Sequence, residues 1–413
     1  MTRVFVAGGG IVGLCCALQT QRRGHEVVLA DPRGFANGAS SGNAGVIANS
    51  DCVPVATPGA LRQVPRMLFA ADSPVSIRWA YAAQIAPWLF RFVKASRQAQ
   101  VDHAVDSLAQ LLARAKPAHL ALAASVDAAH LIRQVGWLKV FQTEASLRRA
   151  MPDFDRMQAK GVVCRQLDRD ALAACEPQLA KIFVRGVLHD DCAQIEDPQA
   201  YVNRLGEEFL RNGGRLVKSE VMSLDTRHGR VRAARTRTEE FDADCFVVAA
   251  GAWSRKLARD AGADVPLDTE RGYHVELEAE SGRPLNRPVY WAEKSIVMSP
   301  SEGRLRVTSS VEFAGLHAPP DFSKLKSLIP HIRGAVGTAS GKVVAEWLGF
   351  RPSMPDSLPV IAVAPGANNC VLAFGHGHLG LTMGPVTGEI VAALVDGTSP
   401  PVDIAAFSAD RFD

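Results

Sequence analysis

The chain has 413 residues, 47% of them hydrophobic and 22% charged, which is the composition of folded globular domains and excludes a disordered chain. Its length predicts two or three domains, and its net charge of +3, from 46 basic and 43 acidic residues, gives no overall footprint for nucleic acid. The eight cysteines are too sparse for a disulfide scaffold and include no CxxC pair, so neither a metal site nor a thioredoxin-like centre is expected. Reduced cysteines in a cytoplasmic, reducing compartment are the simplest reading.

The amino terminus carries the most specific local signal. Val4-Phe5-Val6-Ala7 reads as a buried strand, and Gly8-Gly9-Gly10-Ile11-Val12-Gly13 follows at once, a GxGxxG with glycines at 8, 10 and 13. An apolar segment from Leu14 to Leu18 predicts a helix that stops near Gly24, and Val27-Val28-Leu29-Ala30 a second strand ending on Asp31. In this arrangement Gly8 serves the tight turn, Gly10 the approach of backbone to a pyrophosphate, and Gly13 the close packing of helix on strand. The helix start offers free N–H groups and a positive dipole end to the phosphates. Asp31, 18 positions after Gly13, stands where an acid accepts hydrogen bonds from ribose hydroxyls. The apolar run from Val4 to Leu18 follows Arg3 but is broken by glycines and has no small-residue cleavage site, so it is not read as a signal peptide. A second small-residue loop, Gly38-Ala39-Ser40-Ser41-Gly42-Asn43-Ala44-Gly45, lets backbone and hydroxyls approach a bulky cofactor. An NAD fold more often enters a helix there, which favours FAD.

Residues 61–131 read as helical, with Pro65, Pro74, Pro87 and Pro117 as punctuation and Arg66, Arg78 and Arg91 on solvated faces. Trp79 to Phe90 is uncharged apart from basic flanks and too short to span a bilayer; it is expected to be a buried helix, the alternative being one that rests on a membrane. Gly136 to Phe141 is an expected strand, Leu167 to Leu179 a helix and loop. Asp197-Pro198 opens a helix with Tyr201, Val202, Leu205, Phe209 and Leu210 on one face, stopped by Gly213-Gly214 and followed by a strand at Arg215-Leu216-Val217. Cys245 to Ala250 is a fully apolar strand ending on Gly251-Ala252-Trp253, as in a buried parallel sheet with its carboxyl end at a ligand crevice. Between Tyr273 and Val311 the strands alternate, as in an antiparallel sheet with one wet face. No repeat or low-complexity tail is present, and the cofactor fold is interrupted by inserted pieces.

Four stretches together resemble the D-amino-acid oxidase and dehydrogenase superfamily of flavoproteins. They are the Gly8–Gly13 turn with Asp31 and the Ser40–Gly45 loop; Val247-Val248-Ala249-Ala250-Gly251-Ala252-Trp253-Ser254; Trp347-Leu348-Gly349-Phe350-Arg351-Pro352 leading to Pro355-Asp356-Ser357-Leu358-Pro359; and Gly375-His376-Gly377-His378-Leu379-Gly380-Leu381-Thr382 with Gly384-Pro385 and Thr387-Gly388 behind it. Asn43-Ala44-Gly45 and Ala56-Thr57-Pro58-Gly59 carry a closer likeness to the bacterial D-amino-acid dehydrogenases. The resemblance implies an α/β fold. A Rossmann-like FAD-binding domain of glutathione-reductase type would be made of segments 1–55, 145–268 and 340–413. An α+β substrate domain, built on a mainly antiparallel sheet, would comprise 56–144 and 269–339. It implies oxidation of an amino acid to an imine, which water hydrolyses to a 2-oxo acid, with electrons passing to a respiratory acceptor such as a membrane quinone. The protein would then be cytoplasmic or peripheral on the inner face of the membrane. Two alternatives stay open: an oxygen-using oxidase of glycine, sarcosine or another N-substituted amino acid, and a flavin subunit of a larger electron-transfer complex.

The same resemblance implies cofactor contacts from Gly8, Gly10, Ile11, Val12, Gly13, Asp31, Ser40, Ser41, Asn43, Ala44, Gly45, Val221, Ala250, Gly251, Trp253, Gly377, His378, Leu379, Gly380, Leu381 and Thr382. Some members hold FAD through a cysteine near the Pro-Asp motif; here Gly349 takes that position, so FAD is expected to be noncovalent. A substrate carboxylate calls for an arginine fork, and Arg351, Arg306 and Arg271 are the candidates. Tyr273 and His274 alternate in direction, so one is expected to point inward. His376 is a further candidate, and a helix from about Pro385 is expected to aim its N-terminal dipole at the flavin.

Overall fold

The computed structural model describes residues 1–61, 75–280 and 282–412. Its cofactor-type sheet has six strands in the order Arg215–Val217, Glu26–Ala30, Arg3–Ala7, Cys245–Val248, Ala367–Phe374, Val360–Ala364. All neighbours run parallel except the last pair. A parallel sheet must be covered on both faces, and the first strand shows how: Val4 and Val6 enter one core, Phe5 and Ala7 the other. The first face carries the helices Ile11–Arg22 and Gly380–Val395. They cross closely because Gly384 and Gly388 lack side chains; a Cβ built on Gly388 would lie 2.6 Å from Cys15 O. The second face carries a three-stranded meander, 221–242, and the helix Ser254–Asp260.

The larger sheet has nine strands. Eight follow the order Ala339–Ser353, Asp268–Ala279, Arg304–Phe313, Ile296–Ser301, Val289–Trp291, Trp137–Phe141, Arg185–His189, Arg165–Leu167, and Val75–Ile77 adds beside Arg304–Phe313. Most neighbours are antiparallel. The strand Ala339–Ser353 therefore pairs with Asp268–Ala279 rather than with the cofactor sheet to which a boundary at 340 would give it. Likewise Arg165–Leu167 and Arg185–His189, inside the 145–268 segment, belong to the large sheet.

Several local expectations change. Pro87 and Pro117 lie inside the helices Ala82–Ala95 and Gln98–Ser125 instead of ending them, next to buried Ile85, Trp88, Ala118 and His119, so packing outweighs the lost backbone donor. Pro65, Pro74 and Arg66 fall outside the described residues. The Trp79–Phe90 stretch is not buried: Trp79 is 89% exposed and Phe90 62%, with only Ile85 and Trp88 of its helix buried. Leu210 points to solvent, while Tyr201, Val202, Leu205 and Phe209 are buried. The carboxyl-terminal helix starts at Gly380, with Pro385 inside it; although 377–395 is apolar enough to cross a bilayer by composition, 72% of that window is buried in the core.

Candidate active site

The carboxyl ends of the parallel strands open into a cleft that the large sheet covers. One cavity, of about 830 Å³, is lined by Gly8, Asp31, Val221, Ala250 and Trp253 among others. It continues into a second, of about 250 Å³, past Gly10, Ser40, Asn43 and Ala44 to Gly272, Arg351 and the turn His376–Leu381. Gly8, at φ +118°, makes the turn, and a Cβ there would lie 2.3 Å from Ala249 O. On Gly13 a Cβ would meet Gly8 O at 2.0 Å, so only glycine lets this helix sit down on the turn. No acidic side chain stands in the helix's first turn, and Ser40 Oγ accepts from Ile11 N–H at 2.9 Å. The dipole end thus faces the cleft without a competing anion. Asp31 accepts from Gly9 N–H and Arg33 N–H, both at 2.9 Å. A carboxylate has about four acceptor sites, so capacity remains for ribose hydroxyls. At Gly251 and Gly377, both at positive φ, a Cβ would meet nothing within 4 Å among the described residues. The glycine-lined cleft, with a helix start that bears no acid in its first turn, fits a dinucleotide cofactor.

The loop 40–45 is a fixed wall. Asn43 Nδ2 donates to Ser40 O and its Oδ1 accepts from Gly45 N–H, both at 2.7 Å; Ser41 Oγ donates to Gly38 O. Thr382 Oγ1 accepts from Ala48 N–H and donates to Val46 O, which ties the next segment to the carboxyl-terminal helix.

The expected substrate residues divide by strand register. Gly272 opposes Gly349 and Glu270 opposes Arg351, so Gly272 and Arg351 share the cleft face. Arg351 Nη1 donates to Ser310 O at 3.3 Å, and no carboxylate among the described residues forms an ion pair with it. Burial lowers its proton affinity and Glu270 partly restores it. Arg306 is already used: it pairs with Glu276 at 2.8 Å and donates to Asn43 O at 2.9 Å, pinning the loop to the sheet. Arg271 and Tyr273 face away from the cleft. Arg271 is fully buried, 3.3 Å from Glu312, and Tyr273 Oη donates to the same carboxylate at 2.5 Å. His274 is on the cofactor side but not open to the cleft: its Nδ1 donates to Gly42 O at 2.6 Å, and its ring stacks on Trp347. Burial, with Arg306 nearby, pushes it down to about 4. His376 lies within 3.0 Å of Thr387 Oγ1, and burial pushes it down to about 3. His378 is open to the cleft.

Three cleft features escaped the sequence reading. Trp347 fills the space over Gly42 and Gly349, where a built Cβ would fall 2.2 and 1.9 Å from its ring. Trp137 lines the cleft, and its indole N–H has no hydrogen-bond partner among the described residues. Asp51 also lines it, 2.8 Å from Lys139 Nζ. The one available signal was a lysine set in the otherwise apolar strand Trp137-Leu138-Lys139-Val140-Phe141.

Comparison with known proteins agrees with this geometry. The family model described as FAD dependent oxidoreductase matches residues 3–394. A D-amino-acid oxidase of Bradyrhizobium diazoefficiens is 34% identical over 99% of this chain and 98% of its own length. D-amino acid dehydrogenase 2 of Mesorhizobium japonicum is 30% identical, over 97% and 98%. Among solved structures, glycine oxidase from Geobacillus kaustophilus superposes with a TM-score of 0.77 at 21% identity, covering 99% of each chain.

Proposed function

The chain belongs to the family of FAD dependent oxidoreductases, and from that premise we propose that it oxidises D-amino acids at Cα to the imine, which water hydrolyses to the 2-oxo acid. The observation that carries the substrate class is Arg351, a half-buried guanidinium on the cleft wall with no carboxylate partner among the described residues. A planar fork in that setting suits a substrate carboxylate. The D configuration is supported by relatives at 30–34% identity whose names are D-amino-acid oxidase and D-amino acid dehydrogenase.

When bound, FAD supplies the two-electron acceptor for the hydride leaving Cα. The Gly8–Gly13 turn would hold its phosphates and Asp31 its ribose, and the Gly380–Val395 helix begins at the cleft, where its N-terminus would favour negative charge. Gly349 at the position of a linking cysteine supports noncovalent binding. Arg351 orients the substrate by its carboxylate. Burial pushes His376 down to about 3 and His274 down to about 4, so neither supplies a cation beside Arg351.

For the acceptor we propose a membrane quinone reached from the cytoplasmic side. The support is the surface segment with exposed Trp79, Phe90 and Val93 and basic Arg91 and Lys94, a pattern suited to an anionic lipid interface. Anaerobic bleaching of the flavin against D- and L-amino acids tests the reaction: bleaching by D- and not L-enantiomers is expected, and bleaching by L-enantiomers or only by glycine and sarcosine rejects it. Oxygen uptake that keeps pace with dye reduction would reject the quinone in favour of an oxidase.

A further inference from the structure

The cleft wall on the far side of His378 carries a charge that neither cofactor binding nor the Arg351 fork uses. Asp51 follows the short strand Val46–Ile47 and lines the cleft together with Ala48, Trp137, Val297 and Thr308. Lys139 stands behind it and does not line the cleft; its Nζ is 2.8 Å from Asp51 Oδ1, and the two side chains are only 12% and 16% exposed. The ammonium is also 4.7 Å from the Trp137 ring centroid and 5.7 Å from that of Phe154. Asp51 Oδ2 has no hydrogen-bond partner among the described residues.

A buried ion pair is a poor means of stabilising a fold, because apolar residues of similar volume do as well or better. Here the anion is the half turned to the cleft, and the cation is the half hidden behind it. Burial alone would raise the Asp51 carboxyl, but Lys139 and His378 together hold it below the ordinary range, so the cleft wall is ionised. Asp51, His378 and Arg351 line the same cavity, so the two charges belong to one cleft.

We propose that Asp51 reads the far end of the substrate side chain, accepting a hydrogen bond from an N–H or O–H donor there and rejecting side chains that end in a carboxylate. The substrate class is then D-amino acids with amide, hydroxyl or cationic side chains, and acidic ones are excluded. This rests on the amino-acid reading above. Lys139 is a positioning residue that keeps the carboxylate charged and aimed. An anion placed against Asp51 would meet like charge with little water to screen it, whereas a donor would satisfy Oδ2.

The test uses the flavin-loaded enzyme with D-glutamate, D-glutamine and D-lysine. Wild type is expected to favour D-glutamine and D-lysine over D-glutamate. Asp51→Asn keeps the size and removes the charge. It should raise the D-glutamate to D-glutamine ratio of kcat/KM at least about tenfold, or about 1.4 kcal/mol, and lower D-lysine relative to D-glutamine. Because Asp51→Asn leaves Lys139 unpaired, Asp51→Asn with Lys139→Met is measured beside it and should move the ratios in the same direction. Ratios that stay at the wild-type values in both variants, with all three substrates weakened alike, would make the pair structural and overturn the proposal alone. Failure of every amino acid to bleach the wild-type flavin would overturn the amino-acid reading and this proposal with it.

Discussion

Arg351 reaches the cleft through the space that Gly272 leaves: a Cβ built on Gly272 would lie 2.3 Å from Arg351 Cζ and 2.4 Å from Nη2. The two residues are diagonal neighbours on adjacent antiparallel strands, so the missing side chain on one sets the position of the cation on the other. Gly272→Ala should therefore act as a displacement of the guanidinium. The arginine's far end is flexible, so the fold should absorb the change with a small shift in Tm. A misplacement of about 1 Å in a positioning group costs up to about 100-fold, so kcat/KM for the amino acid should fall about 10- to 100-fold with flavin content intact. Wild-type kinetics in the alanine variant would show that Arg351 does not need this position.

Gly349 bears on the cofactor linkage. A Cβ there would fall 1.9 Å from the Trp347 ring, so the strand has no room for a cysteine at that point while the indole stays in place. Acid precipitation should release all of the yellow colour into the supernatant. Gly349→Cys should not create a covalent flavin, and it should disturb the Trp347–His274 stack enough to lower flavin occupancy. Colour retained in the wild-type pellet would contradict noncovalent binding.

Four buried histidines predict acid sensitivity. Burial is the main cause in each: His376 is pushed down to about 3, and His119, His189 and His274 to about 4. Each stays neutral in the fold but takes a proton in the unfolded chain near pH 6.5. The unfolded state therefore binds more protons below that pH, and stability must fall as pH drops from about 6.5 toward 4, by up to about 1.4 kcal/mol per pH unit for each group. His119 is the probe because both its partners are identified: Nε2 donates to Leu381 O, in the turn at the cleft, and Nδ1 accepts from Tyr201 Oη, so the variant is compared with wild type at matched flavin content. The Tm should decline between pH 7 and 5, and His119→Gln should make that decline shallower. A Tm that is flat over this range would refute the argument.

What the sequence reveals here depends on how local the cause is. The phosphate turn is legible because Gly8, Gly10 and Gly13 each answer a steric demand within a few residues, and Asp31 follows from the length of one strand–helix–strand unit. The strand Cys245–Val248 is legible because an unbroken apolar run suits a sheet buried on both faces. The large sheet is legible only as alternation, and alternation does not say which face meets the cofactor. Arg271 and Tyr273 were therefore as plausible as Arg351 until the pairing of 268–279 with 339–353 fixed their sides. Propensity places the helix start toward Pro385 because it punishes an internal proline, whereas packing against the first helix tolerates Pro385 inside a helix that starts at Gly380. Asp51 and Lys139 are 88 residues apart, and nothing short-range joins them.

Arg351→Lys separates the fork from the charge. Arg351 is held at Nη1 by Ser310 O, which leaves the rest of its planar donor set for the cleft. Lysine keeps the positive charge but presents a point cation on a flexible stem, without paired donors. Losing a buried charge pairing costs roughly 2–5 kcal/mol, which is about 30-fold to several thousandfold in affinity by the 1.4 kcal/mol rule. The loss should fall on the substrate alone, because the phosphate and ribose contacts proposed for the cofactor come from the Gly8–Gly13 turn and Asp31. The variant should thus purify yellow, with a normal spectrum, and bleach only at much higher D-amino-acid concentration. An amine without a carboxylate should respond to wild type and variant alike. Arg306 supplies the contrast: it already binds Glu276 and Asn43 O, so Arg306→Lys should loosen the 40–45 loop and weaken flavin retention as well as activity. If Arg351→Lys keeps the wild-type half-saturation while Arg306→Lys loses it with flavin fully bound, the carboxylate clamp belongs to Arg306, and Arg351 serves only the packing of its strand over Gly272.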